Sequence, residues 1–376
     1  MWCVVDMTED GGSTARVWEL PIETGEVPES GAEFDAIVVG GGPGGSSAAG
    51  YLAKSGARVL FIEKDVWPRD KICGDAVGGK SLSHVEELGV KADLESTPHF
   101  RVTGIVFSSP KGNSVRVPLP EEDVQRLEAG YALPRAQFDS LLFNRCQAMV
   151  READGLVIQG GEVRSVLFDD GAGGEDPGEG AGDARHASGV VVRIGGRSGE
   201  ERTYYTRELV GAAGYRCPVS RSVVESSYNE VMMDRDHYCG GYREYWQNVK
   251  GCETNVGDIE IHFVDSVIPG YFWLFPVSEN VVNVGIGMVM GLLDKQKKKL
   301  KALQADVIAN HPMFKERFAE AEMVPGSAKG WQLPFGSPRK KTSRQPRRSS
   351  MNGIRLVGDC LLYTSPSPRD GLLSRM

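Results

Sequence analysis

The sequence predicts an α/β protein of two units, a Rossmann-like nucleotide-binding domain and a second, mainly antiparallel β-sheet domain. Three stretches predict it. Residues 34–63 run strand, glycine turn, helix, strand and acid in that order. Residues 269–287 set aromatic side chains opposite glycines in a hairpin pattern, and residues 353–359 form a short apolar strand ending in Gly-Asp.

Phe34–Val39 is an apolar run bounded by glycine, long enough for a buried strand. Gly40, Gly42 and Gly45 then give G-x-G-x-x-G. The first turns the chain, the second lets backbone N–H groups approach a pyrophosphate, and the third lets helix pack against strand. The spacing predicts a helix from Gly44 to Ser55, with the small Ala48, Ala49 and Ala53 suited to a nearby sheet and Gly56 suited to its end. Arg58–Ile62 is the second strand, and Glu63 follows where a carboxylate accepts hydrogen bonds from a ribose diol. A lone glycine fingerprint also marks flexible loops. The complete order from strand to acid makes this one a dinucleotide site.

With 376 residues the chain has room for two domains with a sizeable core. It contains no apolar run of membrane-spanning length, and Met1–Val5 is too short and lacks the basic flank of a signal peptide. A soluble, cytoplasmic protein is expected. The net charge of -8 gives no support to nucleic-acid binding. Seven cysteines are scattered without a C-x-x-C pair, so free thiols in a reducing compartment are expected. Six isolated histidines lack ligand spacing, and no metal site is expected.

Residues 1–31 are acidic, rich in Gly, Thr and Glu, and lack periodicity, which predicts a disordered extension. After the nucleotide unit, Trp67–Cys73 is a loop and Ser81–Leu88 a helix stopped by Gly89. Lys71-Ile72-Cys73-Gly74-Asp75-Ala76 lies where the chain would return across a bound cofactor. On composition alone it reads as an ordinary glycine turn with a buried thiol. Val102–Phe107 and Ser114–Val117 are strands joined at Lys111-Gly112-Asn113. Gly130–Arg135 leads into a helix over Ala136–Arg151. Arg135 at that helix start gains nothing from the macrodipole, which points to an external anionic or polar partner; a solvated arginine is the alternative. Val163–Phe168 and Gly189–Ile194 read as strands flanking an acidic, Gly-rich insertion at 169–188 that is expected to be disordered. Thr203–Leu209 reads as a further strand.

In the hairpin at 269–287, strand periodicity puts Tyr271, Trp273 and Phe275 on one face and Phe272 and Leu274 on the other. A turn at Ser278-Glu279-Asn280 sets Phe275 opposite Asn283, Trp273 opposite Gly285 and Tyr271 opposite Gly287. Aromatics across from glycines leave a flat apolar floor for a planar ring or an isoprenoid tail, or simply cover strand glycines for stability. Leu292–Asn310 reads as one helix closed by His311-Pro312. The lysines at 295–301 and the basic cluster Arg339–Arg348 read as solvated faces that could also approach anionic lipid heads. Gly353–Asp359 ends in a carboxylate suited to a ribityl hydroxyl, which tips the dinucleotide from NAD to FAD.

Together these motifs resemble the geranylgeranyl reductase family of flavoproteins, which includes the archaeal digeranylgeranylglycerophospholipid reductases. The matching residues are VVGGGPGGSSAA (38–49), KICGDAV (71–77), GYALPRAQFD (130–139), PGYFWLFP followed by NVGIG, and LVGD (356–359). The resemblance implies a two-domain flavoprotein of the aromatic hydroxylase and glutathione reductase type. It implies FAD held at Gly40, Gly42, Gly45, Glu63, Cys73, Gly74, Ala76, Arg135, Val163 and Asp359. It implies a lipid pocket lined by Tyr271, Trp273 and Phe275, with Cys73 or Asp75 as the proton donor. The implied activity is hydrogenation of isoprenoid C=C bonds in membrane-lipid precursors. The implied partners are a prenylated lipid, an electron donor (ferredoxin or NADPH) and a peripheral membrane contact. Ala213-Gly214 stands where related hydroxylases carry Asp-Gly, which weakens a reading with direct NADPH use. The alternatives are a quinone-linked electron-transfer flavoprotein dehydrogenase, an FAD monooxygenase, or a non-catalytic prenyl-lipid-binding flavoprotein.

Residues 360–370, CLLYTSPSPRD, match the translation of a transposase-type sequencing-library adapter. Asp359 is therefore expected to be the last native residue of a truncated metagenomic fragment, with 360–376 an artefact. The domain reading that follows assigns 1–31 to the extension. It assigns 32–98, 131–228 and 326–359 to the FAD-binding domain, and 99–130 and 229–325 to the substrate-binding sheet.

Overall fold

The computed structural model describes residues 26–71, 73–125, 130–169, 186–228, 235–334 and 349–361. The first third of the chain gives β1 (Ala36–Val39), α1 (Pro43–Lys54), β2 (Val59–Glu63), β3 (Ala76–Gly78), α2 (Ser81–Glu87), α3 (Lys91–Ser96), β4 (Phe100–Ser108), β5 (Ser114–Pro118) and α4 (Glu121–Gln125). There follow β6 (Gly130–Ala132), α5 (Arg135–Glu152), β7 (Leu156–Gln159), β8 (Gly161–Asp169), β9 (His186–Ile194), β10 (Glu200–Tyr205), β11 (Leu209–Gly211) and α6 (Pro218–Tyr228). The remainder gives β12 (Tyr238–Gln247), β13 (Val256–His262), β14 (Gly270–Ser278), β15 (Val281–Val289), α7 (Met290–Lys295), α8 (Leu300–Asn310), β16 (Glu322–Met323), β17 (Lys329–Pro334), β18 (Ser350–Met351) and β19 (Ile354–Leu356).

Among the described residues, a six-stranded sheet runs β18-β19-β11-β1-β2-β7, with β1 parallel to both β2 and β11. Every residue of β1 and β2 is buried because both faces of this sheet are covered, and this is why the strands read as unbroken apolar runs. Val38 and Phe61 face α1 and α5 around Phe143, whereas Ile37, Leu60 and Ile62 face the antiparallel sheet β8-β9-β10 and α6 around Val190, Val192 and Val219. The third sheet runs β16-β12-β15-β14-β13-β4-β6-β3, with β17 paired to β12 and β5 to β4. One face of its centre, through Phe272, Leu274, Val284 and Ile286, packs on α8 and Phe314. The other face turns toward the nucleotide-binding unit.

Four expectations differ from what is observed. The strand expected over Thr203–Leu209 is two strands in different sheets. Thr206 Oγ1 donates to Asp35 O and Glu208 O at 3.2 Å, and that side-chain pairing breaks the ladder between β10 and β11. The single helix expected over 292–310 is α7 and α8, separated where Lys297 takes φ +50° in a run of adjacent like charges. β17, expected in the nucleotide unit, instead covers the edge of β12 from Tyr238↔Pro334 to Arg243↔Lys329, while β3 and β6 extend the same sheet beyond β4. Residues 26–31, expected within the disordered extension, lie along β10. There Tyr204 Oη donates to Pro28 O at 2.9 Å and Gly31 N to Thr203 O at 2.8 Å. The remaining expected disorder at 1–25, the bulk of the 169–188 insertion, the Arg339–Arg348 cluster and residues 362–376 of the expected adapter segment lie outside the described residues.

Candidate active site

The turn between β1 and α1 is shaped by close backbone approach. Gly40 has φ +110°, and a Cβ there would sit 2.5 Å from the Ala212 carbonyl carbon. A Cβ on Gly45 would sit 1.7 Å from Gly40 O, so only glycine lets α1 reach β1. Above Gly42 there is room, the nearest atom to a Cβ being Arg69 Nη2 at 3.5 Å. Glu63, 3% exposed at the tip of β2, accepts the Gly41 N–H at 2.6 Å and the Asp65 N–H at 3.0 Å. Arg69 reaches the same carboxylate at 3.4 Å and stacks over Trp67, with its buried Nε left without a hydrogen-bond partner. Asp359, just beyond β19, pairs with Lys71 at 3.2 Å, and the adjoining Gly358 backbone lies against Gly44. Room above a glycine turn at a helix N-terminus, an orphaned guanidinium nitrogen and two strand-end carboxylates fit a bound dinucleotide.

The Cys73-Gly74-Asp75 turn is clamped to the ten-stranded sheet. Asn283, fully buried on β15, donates through Nδ2 to Cys73 O and to Asp75 Oδ2, each at 2.7 Å, and accepts Trp273 Nε1–H at 2.9 Å. Tyr245 Oη on β12 donates to Asp75 Oδ2 at 2.6 Å, and the Arg135 N–H lies 3.3 Å from Oδ1. Burial pushes the Asp75 carboxyl up to about 6 against the pull of Arg243, Tyr245 and Asn283, and the donors around it make it a hydrogen-bond acceptor. Arg243, with no exposed surface, lies over the Tyr245 ring, donates through Nη2 to both Asp70 oxygens at 2.7 and 2.9 Å and through Nη1 to Ser327 O at 2.8 Å, and Lys329 also reaches Asp70 at 2.7 Å. These residues form one charged network across the two units, in which the buried Arg243 Nε alone of that guanidinium's nitrogens lacks a hydrogen-bond partner.

The hairpin register is the one its periodicity predicts: Tyr271↔Gly287, Trp273↔Gly285 and Phe275↔Asn283. Trp273 fills the space a Cβ on Gly285 would need, at 2.0 Å, and Phe275 presses on Gly74, where a Cβ would meet its ring at 2.6 Å. Tyr271, its ring 5.9 Å from that of Trp273, stands 41% exposed at the outer end of the row. The structure therefore joins the aromatic row to the cysteine turn.

Other expected residues are placed differently. Ala76 is exposed at the start of β3, next to the turn. Arg135 is buried and bound by its own helix, Nε and Nη2 meeting Asp139 at 2.6 and 2.7 Å, so its charge is answered inside the chain rather than by an external partner. The Val163 side chain is buried between β8 and the six-stranded sheet and is not brought to the turn. Asp75, proposed with Cys73 as a proton donor, has no exposed surface and is surrounded by donors, whereas Cys73 is half-buried. Sequence reading missed Asp70, Arg243, Tyr245, Asn283 and Lys71. The one available signal was polar residues at inward positions of strands β12 and β15.

A second buried cluster lies between β4 and β13. His262 bonds Ser108 Oγ at 2.8 Å and Glu260 at 2.9 Å, and Arg317 forks onto Glu260 at 2.7 and 2.8 Å. The order Ser-His-Glu resembles a nucleophile relay, but Ser108 and His262 are 2% and 1% exposed, so no substrate can meet them. The cluster fastens the segment after α8 to the sheet.

The fold and the site define a two-domain FAD-dependent oxidoreductase. Two family models match the chain, an FAD binding domain over residues 33–169 and the geranylgeranyl reductase catalytic domain over residues 237–326. A digeranylgeranylglycerophospholipid reductase of Methanosarcina acetivorans is 27% identical over 355 residues, 91% of this chain and 72% of the relative. A menaquinone reductase of Mycobacterium tuberculosis is 27% identical over 255 residues, 67% of this chain and 54% of the relative. A geranylgeranyl bacteriochlorophyll reductase-like crystal structure from Thermoplasma acidophilum shares the fold, with TM-score 0.64 at 21% identity over 88% of this chain and 72% of that one. The chain is thus similar to geranylgeranyl reductases, with an FAD binding domain in its first half and a match to their catalytic domain in its second.

Proposed function

We propose that the chain hydrogenates isoprenoid C=C bonds of a prenylated membrane-lipid precursor, drawing electrons from an external donor, ferredoxin or NADPH. The observation that carries this reading is the Asn283 bridge, which puts the half-buried Cys73 turn next to Trp273 in the aromatic row. Bound FAD would supply the two electrons that each reduced bond takes up. Glu63 would hold the adenosine ribose, the Gly40–Gly45 turn and Arg69 the diphosphate, and Asp359 the ribityl chain. Tyr271, Trp273 and Phe275 would desolvate and orient the tail. An isolated alkene is unpolarised, so a proton must be delivered at one carbon, and Cys73 Sγ is the candidate donor that reaches the cleft. Asp75, sealed among donors, holds the turn from behind.

The test is mass spectrometry of a geranylgeranylated glycerolipid incubated with flavin-loaded protein and dithionite. A gain of one H2 per reduced bond is expected. Loaded, reduced protein that leaves the lipid mass unchanged would overturn the reading in favour of a binding flavoprotein. The menaquinone reductase match supports a second substrate, a prenylated quinone, and the same assay run on both lipids decides between them.

A further inference from the structure

One end of the ten-stranded sheet carries an unusual surface. The pairings Tyr238↔Pro334, Cys239↔Val289, Gly270↔Met288 and His262↔Phe272 bring the start of β12 and β14 and the end of β13, β15 and β17 to the same end. Phe263, Ile268, Tyr271, Trp331 and Leu333 gather there, each between 36% and 43% exposed, although the described chain exposes few large apolar side chains. The α7–α8 loop closes over the same end. Lys298 Nζ donates to Ser266 O at 3.0 Å, tying that loop to the β13–β14 loop that carries Phe263 and Ile268. Lys297, Lys299 and Lys301 are exposed beside it and pair with no carboxylate among the described residues. In a chain of net charge -8 this basic patch is local, set against an apolar rim.

The patch is continuous with the aromatic row. Trp331, Gly241, Gly287 and Tyr271 stand in one cross-strand line on the sheet face that bears Trp273. A Cβ on Gly241 would meet nothing within 4 Å, while one on Gly287 would meet Cys239 Sγ at 3.3 Å and Trp273 at 3.9 Å, so a trough open over β12 and floored at β15 by Cys239 and Trp273 runs between Trp331 and Tyr271. Tyr215 braces Trp331 edge-on at 5.7 Å.

We propose that this end of the sheet docks on a bilayer bearing anionic headgroups. Phe263 and Ile268 enter the acyl boundary, Lys297, Lys299 and Lys301 meet the headgroups, and the trough over Gly241 and Gly287 admits a prenyl chain from the bilayer toward Trp273. The docking needs no chemistry, while the trough's occupant rests on the reading of a prenylated substrate. Apolar insertion combined with cationic attraction is the physical basis of interfacial binding. Each lysine near an anionic surface contributes about a fivefold gain in affinity, attenuated by salt.

The experiment is co-sedimentation of the full chain with phosphatidylglycerol–phosphatidylcholine vesicles and with phosphatidylcholine vesicles, at low and high salt. Wild-type protein is expected to bind the anionic vesicles in a salt-sensitive manner. The triple variant Lys297→Gln, Lys299→Gln, Lys301→Gln should lose about 100-fold in affinity, and Phe263→Ser with Ile268→Ser at least 10-fold. All five side chains are exposed, so the variants should keep the wild-type circular dichroism and melting temperature. No binding by wild type, equal binding by the variants, or equal binding to both vesicle types would overturn the proposal. So would lysine variants that still bind vesicles but lose reduction by a protein electron donor, since the patch would then be that donor's dock. Reduction of a detergent-dispersed lipid reports separately on the enzymatic reading, so either one can fail without the other.

Discussion

Asn283 Nδ2 lies 2.7 Å from both the carbonyl oxygen of Cys73 and the carboxylate of Asp75, residues 210 and 208 positions earlier in the chain. A single buried amide on the ten-stranded sheet thereby fixes the Cys73-Gly74-Asp75 turn, and its own Oδ1 is held by the Trp273 indole. The two units are not merely adjacent. The position of the turn depends on β15, the strand paired with β14, which carries the aromatic row Tyr271, Trp273 and Phe275.

Removing that amide should be felt at both ends. Asn283→Ala leaves several buried polar groups short of a partner, at about 1–3 kcal/mol for each, so a clear fall in melting temperature is expected. The visible spectrum of bound flavin should shift with it as the turn relaxes. A destabilised variant whose flavin spectrum stays that of wild type would show that the clamp supports the fold without setting the site.

Cys73 is half-buried on that turn, whereas Asp75 has no exposed surface. Cys73→Ser should retain flavin and lower the rate of alkene reduction, because the hydroxyl is a far weaker acid than the thiol. Wild-type turnover in this variant would remove Cys73 as proton donor.

At the other end of the cleft, Glu63→Gln should weaken FAD binding by roughly 1.5–3 kcal/mol, the scale of a hydrogen bond to a charged group. Titration with FAD measures it, and unchanged affinity would take Glu63 out of the site. Glutamine can still accept the Gly41 N–H, so the turn itself should survive.

Much of this was legible in the sequence, and what was not has a physical reason. The glycine fingerprint was readable because Gly45 answers to a contact inside one local βαβ unit, with Gly40 O, although the Ala212 backbone that presses on Gly40 comes from far along the chain. The hairpin register was readable because a short turn fixes the pairing, and strand alternation then determines which residues meet. Asp70, Arg243 and Tyr245 were not readable, since an isolated charge in a strand looks solvated until a partner more than 150 positions away arrives over it. Arg135 misled for the opposite reason. Its position at a helix start called for an anion, and Asp139 one turn along supplied it.

The two buried carboxylates should tilt the pH dependence of stability in opposite directions. Burial opposes the charge on Glu260, but His262 and Arg317 hold it down to about 2 from 4.5. Its contribution, roughly 3 kcal/mol, is present above pH 4.5 and lost as the pH falls toward 2. Asp75 is raised from 3.8 to about 6, so its protonated form favours the folded state below pH 3.8, and that contribution is lost as the pH rises through 6. Melting curves should show Glu260→Gln flattening the acid limb between pH 4.5 and 2, with the region above pH 5 keeping its wild-type slope. A Glu260→Gln limb as steep as wild type would mean that the His262 and Arg317 pairing does not favour the ionised carboxylate.

The sharpest separation of tail binding from cofactor binding is available at Gly285. A Cβ there would lie 2.0 Å from Trp273 Cζ2, inside any permitted contact, so Gly285→Ala must push the indole off the strand and away from Asn283 Oδ1. Overpacking of this kind costs about 1–3 kcal/mol, which leaves a folded protein. The glycine turn, Glu63 and Arg69 sit on β1, α1 and the chain after β2, on no element that the displaced indole touches directly. FAD affinity by fluorescence titration should therefore change by less than about twofold, while affinity for a geranylgeranylated lipid falls by at least about 10-fold, since one misplaced ring removes a large share of the apolar contact a tail can make. Tryptophan emission should move to longer wavelength as Trp273, now 7% exposed, meets water. A folded Gly285→Ala protein with the shifted emission and an unchanged lipid affinity would show that the tail does not lie against Trp273, and that the aromatic row is there to cover the strand glycines.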